Sequence, residues 1–425
     1  MTMSGHLKSN SGRWDLENHL CNSRAISTLV SIKRLLSGEC RRRIALGAGV
    51  VFAILSPLAT TSIALDPRKS LSQYNRDVWT VEQGLPQNSV RSITQTADGY
   101  LWLGTREGLA RFDGVGFTVY DRTNSTGLIS SNVTCLQATS DGALVVGMAG
   151  GGFAKFADGN ITLYRQKEGL PDQDGTLAVY EDRDSNLWFG AYGGLARLKD
   201  GLVTDFSKSK GLISQSVYSI VQDRNGILWF GTMGGLSRYE KGKFTSYTVT
   251  DGLPGNEIRR LLVDHTDTVW IGTAAGGIAR IKDGRITVLR NARLATFAVS
   301  SLCEDSDGAV WIGTEGGGLF RVVDDKVDVY SSTNGLPDDF ISSIFEDREH
   351  NLWVGTEGGG LVRIRDGPIT TIGKQEGLSN DLVHAMCQGR DGSIWIGTEG
   401  GIDVYHGREH KFYSASTGLP RDAIR

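Results

Sequence analysis

Two positions within a recurring motif carry the side chains that could do chemistry in this chain. Near-copies of one stretch, VWIGTEGGGLFR at 310–321, occur as YLWLGTREGLAR at 100–111, ILWFGTMGGLSR at 227–238 and NLWVGTEGGGLVR at 351–363. Four residues after the Trp of each copy, or its equivalent, stand Arg106, Ala149, Tyr192, Met233, Ala274, Glu315, Glu357 and Glu399. Eleven residues before it stand Arg91, Thr134, Leu177, Tyr218, Arg259, Ser300, Ser342 and His384. What a scaffold requires stays fixed from copy to copy, so positions that vary beside fixed ones are free for recognition. Arg91, Arg106, Arg259, Tyr192, Tyr218, His384, Glu315, Glu357 and Glu399 offer aromatic faces and charges of both signs. Such a set suits a polar ligand such as an oligosaccharide or a peptide. Any single glutamate among them is more ordinarily a solvated turn residue, and only the collection points to a site.

Catalysis is harder to assemble from these residues. The turns DSDGAVW at 305–311 and DRNGILW at 223–229 resemble the sialidase Asp-box, but the Asp-to-Gly spacing is one residue longer. Asp-Gly is also a tight-turn device in its own right. His265 and His350 fall in the same turns, on the face opposite the proposed mouth, and His406 and His410 fall in the last outer hairpin. No pair has metal-ligand spacing, and no nucleophile can be matched to a base. No catalytic residue, metal or cofactor is therefore expected, and a propeller lyase or hydrolase is the least favoured function.

The elements that must position the variable residues follow from the spacing. Aligned on Trp102, Trp188, Trp229, Trp270, Trp311, Trp353 and Trp395, with Val145 filling one gap, the copies lie 41 to 43 residues apart and number eight. A period of about 40 residues belongs to propellers, solenoids and arrays. Within 217–247 the runs VYSIVQD, ILWFGT, LSRYE and FTSYT are separated by RNG, MGG and KGK. This is the signal of four short strands joined by tight turns. A Gly stands two residues after each Trp equivalent, as in Gly104, Gly272 and Gly355, where close backbone approach is expected. Nine residues before it an apolar residue recurs, from Ile93 to Met386, as the buried face of the first strand. The predicted fold is all-β, a β-propeller of four-stranded blades whose second-to-third-strand turns open around one mouth.

The motifs W-[LIVF]-G-T-x-G-G-[LI]-x-R, D-G-x-[FI] and G-L-P resemble the two-component regulator propeller repeat over residues 75–425. That resemblance implies an extracytoplasmic bacterial sensor region, often followed by an immunoglobulin-like domain, a transmembrane helix and a histidine kinase or diguanylate cyclase output. This chain departs from the pattern in carrying no output domain.

Ring closure is expected from NRDVWTVE at 75–82, which matches the fourth strand of a blade. Pairing it with the last blade gives seven blades and leaves the eighth repeat to start a second propeller; an eight-bladed ring is the alternative. After FYSASTGLPRDAIR at 412–425 the chain stops where a ninth repeat would begin, which reads as truncation or as a tail that pairs elsewhere.

Residues 1–43 read as a leader, disordered or arising from a misassigned start. Ile44 to Ala64 reads as a signal peptide cleaved near Ala64, or as an anchor, with Arg41, Arg42 and Arg43 on the cytoplasmic side. Either places the repeats, 65–425, in the periplasm or outside the cytoplasmic membrane. A net charge of −3 with Lys and Arg spread through the repeats excludes a nucleic-acid field. Cys135, Cys303 and Cys387 read as small buried strand residues with no disulfide framework. The expected function is an extracytoplasmic sensor propeller binding a small polar ligand or glycan at its mouth. Its partners would be a downstream kinase or cyclase module and a second copy in a homodimer, with membrane contact only through the amino terminus. A protein-interaction platform is the alternative.

Overall fold

The computed structural model describes Leu65, Lys69 and residues 73–420, apart from 126, 158, 171–174, 368–371, 375, 376 and 408. The expected leader, the 44–64 segment and the last five residues lie outside the described residues. Residues Ser62–Arg425 belong to one compact unit.

Each repeat folds as read. In the fourth, the strands Val217–Gln222, Leu228–Thr232, Gly235–Glu240 and Lys243–Tyr247 pair antiparallel in chain order. The second strand is buried along its whole length, and the same holds for the second strand of each of the first seven sheets. A strand covered on both faces needs a continuous apolar run rather than alternation, hence LWFGT. The turn before it is fixed by Asp223, whose Oδ1 accepts from the backbone of Asn225 and Ile227 while Oδ2 accepts from Trp229 Nε1 at 2.9 Å. Trp188 with Asp182, Trp270 with Asp264, Trp311 with Asp305 and Trp353 with Asp347 repeat this bond. The recurring Asp thus holds the turn and satisfies the one polar atom of a buried indole. Between blades, a single 3₁₀ turn ends at the Gly of G-L-P in the left-handed region, as at Gly84 and Gly252 with φ of 98° and 105°.

Seven of the eight sheets close into a ring. The inner strands Val90–Gln95, Val133–Ala138, Thr176–Glu181, Val217–Gln222, Ile258–Val263, Val299–Glu304 and Ile341–Glu346 neighbour one another in this order, and the seventh returns to the first. We number the blades 1 to 7 accordingly. The recurring Gly explains how closely they pack. A Cβ on Gly104 would lie 2.6 Å from Val133 of the next blade, and one on Gly272 would lie 2.4 Å from Val299. At the closing seam a Cβ on Gly355 of blade 7 would lie 2.4 Å from the carbonyl oxygen of Val90 in blade 1. The outer strand of blade 7 is Asn75–Trp79, paired antiparallel with Leu361–Arg365. The expected seven-bladed ring therefore holds, with the amino-terminal strand closing it. Trp79 packs edge-on against Phe112 at 5.2 Å and tilted against Trp353 at 5.4 Å, so blades 7 and 1 share an aromatic cluster.

The eighth repeat forms its own sheet, Val383–Gln388, Ile394–Thr398, Gly401–His406 and Glu409–Tyr413. Its inner strand is exposed throughout. Met386, expected to be buried, is 70% exposed, and Cys387, expected to be a buried strand residue, is exposed as well. The residue types are those of a blade, but among the described residues no blade covers these faces. One polar node is peculiar to this sheet. Asp403 is fully buried and accepts from Ser379 Oγ and from His410 Nε2 at 2.9 Å, where the corresponding positions of blades 1 and 3 hold Ala110 and Ala196.

Candidate functional site

The two variable sets meet at one end of the ring. Each residue eleven before the Trp equivalent sits at the start of an inner strand, and each one four after it sits in the turn leaving the second strand. Antiparallel pairing brings these ends together. The cavity there has a volume of about 500 Å³. All seven inner-strand residues of the ring line it: Arg91, Thr134, Leu177, Tyr218, Arg259, Ser300 and Ser342. From the turns come Arg106, Tyr192, Glu315 and Glu357.

Contacts at the mouth run from blade to blade. Arg106 of blade 1 forms an ion pair with Glu357 of blade 7 across the closing seam. Glu357 also accepts from Ser89 Oγ at 2.8 Å and from Ser342 Oγ at 3.3 Å. Tyr192 of blade 3 meets Tyr218 of blade 4 edge to face, with ring centroids 6.2 Å apart. The Arg259 guanidinium of blade 5 lies 5.3 Å from the Tyr218 ring centroid and pairs with Glu257 at 2.7 Å. Burial, and then the Glu257 carboxylate, push the Tyr218 phenol above its ordinary value, so it stays a hydrogen-bond donor at neutral pH. Tyr192 keeps half of its surface exposed. The mouth therefore presents an open aromatic face, a held phenol and guanidinium groups in a half-enclosed space.

Three lining residues fall outside the two variable sets: Arg260, Phe340 and Ile341. A signal for Arg260 exists in the chain itself. Ten residues before the Trp equivalent the other copies hold Ser92, Cys135, Ala178, Ser219, Ser301, Ser343 and Ala385, all small. Ser92 and Ser219 accept the backbone N–H of Leu136 and Leu261 in the following blade, each at 3.0 Å. Arg260 breaks that pattern with the longest cationic side chain.

His384 and Glu399, expected at the same mouth, do not line it. They lie on the eighth sheet, where His384 Nε2 and Glu399 Oε1 are 3.0 Å apart. The expected cluster of three glutamates is thus two, Glu315 and Glu357. In the turns joining first and second strands, His265 Nδ1 is 2.5 Å from Glu304 Oε1, and His350 Nδ1 is 2.7 Å from Ser306 Oγ. Glu346 meets that Ser hydroxyl rather than the far nitrogen of the ring, so the group lacks the order of a catalytic triad. Among the described residues no cluster of His, Cys, Asp and Glu is arranged to hold a metal. Cys135 and Cys303 are only partly exposed, and burial pushes both thiols up to about 12, which leaves them poor nucleophiles.

The family model described as two component regulator propeller matches residues 84–107, 211–234, 252–275, 296–316, 335–358 and 377–400. The chain carries the two-component regulator propeller repeat. Among solved structures, this regulator propeller is similar to the extracellular domain of BT3049, assigned to a hybrid two component system of B. thetaiotaomicron. The two are 25% identical with a TM-score of 0.68, over 82% of this chain and 50% of that one. The extracellular domain of BT4673 from the same organism shares the fold at 22% identity and a TM-score of 0.55, over 81% and 54% of the two chains. Virginiamycin B lyase from Staphylococcus aureus shares it at 18% identity and a TM-score of 0.56, over 69% and 99%. The regulator propeller thus spans about half the length of the BT3049 and BT4673 domains it matches. Among curated proteins, none matches it in sequence. No helix among the described residues is long and apolar enough to cross a membrane.

Proposed function

We propose that this chain is the ligand-binding propeller of an extracytoplasmic bacterial sensor, and that it binds a small polar ligand, an oligosaccharide or a peptide, at the mouth of the seven-bladed ring. The observation that carries this is the convergence of variable residues. Positions that differ from copy to copy, on a scaffold that otherwise repeats itself, gather around one cavity of about 500 Å³. That volume lies within the range typical of small-molecule sites, about 300–1,000 Å³. Similarity to the extracellular domain of a hybrid two component system supports the sensor class and a location outside the cytoplasmic membrane. Binding would bias the packing or dimerisation of a downstream kinase or cyclase module, supplied by another part of the signalling system. A ligand shifts such an equilibrium only through its difference in affinity for the two states.

A thermal-shift screen against oligosaccharide and peptide libraries tests the proposal, run beside Tyr192→Ala and Arg259→Ala. Binding raises the melting temperature through mass action. A ligand that stabilises the unaltered protein and fails on both variants supports the mouth; a ligand that stabilises all three equally places binding elsewhere. The lyase fold of the Staphylococcus aureus protein motivates one control, in which breakdown of a library member would favour an enzyme.

A further inference from the structure

Charge at the mouth is unevenly paired. Four guanidiniums line the cavity, from Arg91, Arg106, Arg259 and Arg260, against two carboxylates, from Glu315 and Glu357. Arg106 takes Glu357, and Arg259 takes Glu257 at the rim. Among the described residues, Arg91 and Arg260 have no carboxylate within ion-pair distance. Arg91 Nη1 donates only to the Asn132 side-chain oxygen, at 3.3 Å, and Arg260 Nη1 only to the backbone oxygen of Arg259, at 2.8 Å. Both are only partly exposed. They stand on blades 1 and 5, on well-separated parts of the ring.

A guanidinium presents five donors in a planar fork, and among the described residues one is used in each case. Burying such a group without a counter-charge is costly, and the cost is retained only if something outside the fold supplies the anion. Arg260 sharpens the point. The scaffold takes Ser, Cys or Ala at that position in every other copy, so the fold does not need an arginine there. Resting on the mouth reading above, we infer that the ligand is a small polyanion, bearing two or more carboxylate, sulfate or phosphate groups, held between Arg91 and Arg260. Tyr192 and Phe340, both about half exposed, would cover its apolar surface. Glu315 has no cation at ion-pair distance among the described residues; its carboxylate acts on Arg260 from further off, and an anion seated there must outcompete it.

Electrostatics agree with the geometry. Burial first, and then repulsion from Arg106, lower Arg91 from its ordinary value despite an opposing pull from Glu357; burial first, and then repulsion from Arg259, lower Arg260 despite an opposing pull from Glu315. An anion between them removes both penalties.

The test measures melting temperature at constant ionic strength with citrate, trigalacturonate, triglutamate, maltotriose or chloride. Four proteins are compared: the unaltered chain, Arg91→Gln, Arg260→Ser and Tyr192→Ala. The serine restores what the scaffold carries in other copies, so that variant is expected to fold with an unchanged or higher melting temperature. Citrate should stabilise the unaltered chain above the chloride control. Trigalacturonate exceeding triglutamate would mark an acidic sugar as the source of the anionic groups, and the reverse would mark an acidic peptide. In Arg260→Ser the apparent Kd for the better anion should weaken about tenfold or more. Overturning results are an anion response that survives in Arg260→Ser, or no anion raising the melting temperature above chloride. Maltotriose binding that is lost on Tyr192→Ala, with no response to any anion, would overturn the polyanion and leave the mouth site standing.

Discussion

Arg363 donates to Asp77 Oδ2 through both Nε, at 3.1 Å, and Nη2, at 2.7 Å, joining residues 286 positions apart in the chain. Arg365 Nε reaches the same oxygen at 3.2 Å. Burial pushes the Asp77 carboxyl up, but Arg363 and Arg365 outweigh it and hold the group below the ordinary carboxylate value. This cluster locks the amino-terminal strand onto blade 7. Asp77→Ala should cost about 1 kcal/mol, since the cluster is partly exposed and solvent screens it. Trp79→Ala should cost more, about 3 kcal/mol, because it empties the aromatic cluster shared by blades 7 and 1. Chemical denaturation of the two variants checks the order; equal losses would mean that the ion pairs, not the aromatic packing, close the ring.

Gly355→Ala probes the same seam from the other side. Its Cβ would lie 2.4 Å from the Val90 carbonyl oxygen and 2.3 Å from Ser343 Oγ. Blade 1 must shift to admit it, an overpacking cost of about 1–3 kcal/mol. Gly116→Ala is the control for the backbone contribution, since like Gly355 it lies outside the positive-φ region, but it has open space around the added Cβ. If the two variants melt alike, close packing of blades is not what the recurring Gly provides.

Much of this architecture is legible in the sequence. A fixed period, a buried second strand and an unpaired fourth-strand segment at Asn75 together lead to a closed ring with one repeat left over. What the sequence hides is which copies surround the channel. His384 and Glu399 occupy the same repeat positions as Arg259 and Glu357, and only the closing strand's pairing with blade 7 sets them apart. Met386 and Cys387 look like core residues for the same reason, because exposure depends on whether a neighbouring blade is present. Arg260 is hard to see because it stands next to a variable position, and its departure from Ser, Cys and Ala shows only in the column ten residues before the Trp equivalent.

Thiol reactivity separates the two half-buried cysteines of the ring from the exposed one. With thiols pushed up to about 12, Cys135 and Cys303 stay protonated at pH 8. Brief alkylation with iodoacetamide followed by peptide mapping should label Cys387 and leave these two unmodified until the protein is denatured. Labelling of Cys135 at the rate of Cys387 would contradict the packing between blades 2 and 3.

Asp141 supplies a pH signature. Lys155 Nζ lies 2.7 Å from its carboxylate and, with the Thr139 hydroxyl, holds the carboxyl down to about 2 from an ordinary 3.8. A depressed acid contributes stability that is whole above the unfolded value and is lost as pH falls through the folded one, here between about 3.8 and 2. Lys155→Met should bring the carboxyl midpoint, followed by NMR, back toward 3.8. An unchanged midpoint would mean that the ammonium does not hold it.

Hydrogen exchange with and without the best-binding anion tests the central claim most directly. The account expects new protection at the inner-strand starts and turns that ring the mouth, around Arg91, Arg259, Glu315 and Phe340, with little change at blade edges. Protection confined to Val383–Gln388 and Ile394–Thr398, or spread along the outer strands, would contradict binding at the mouth and would favour a surface that engages another protein.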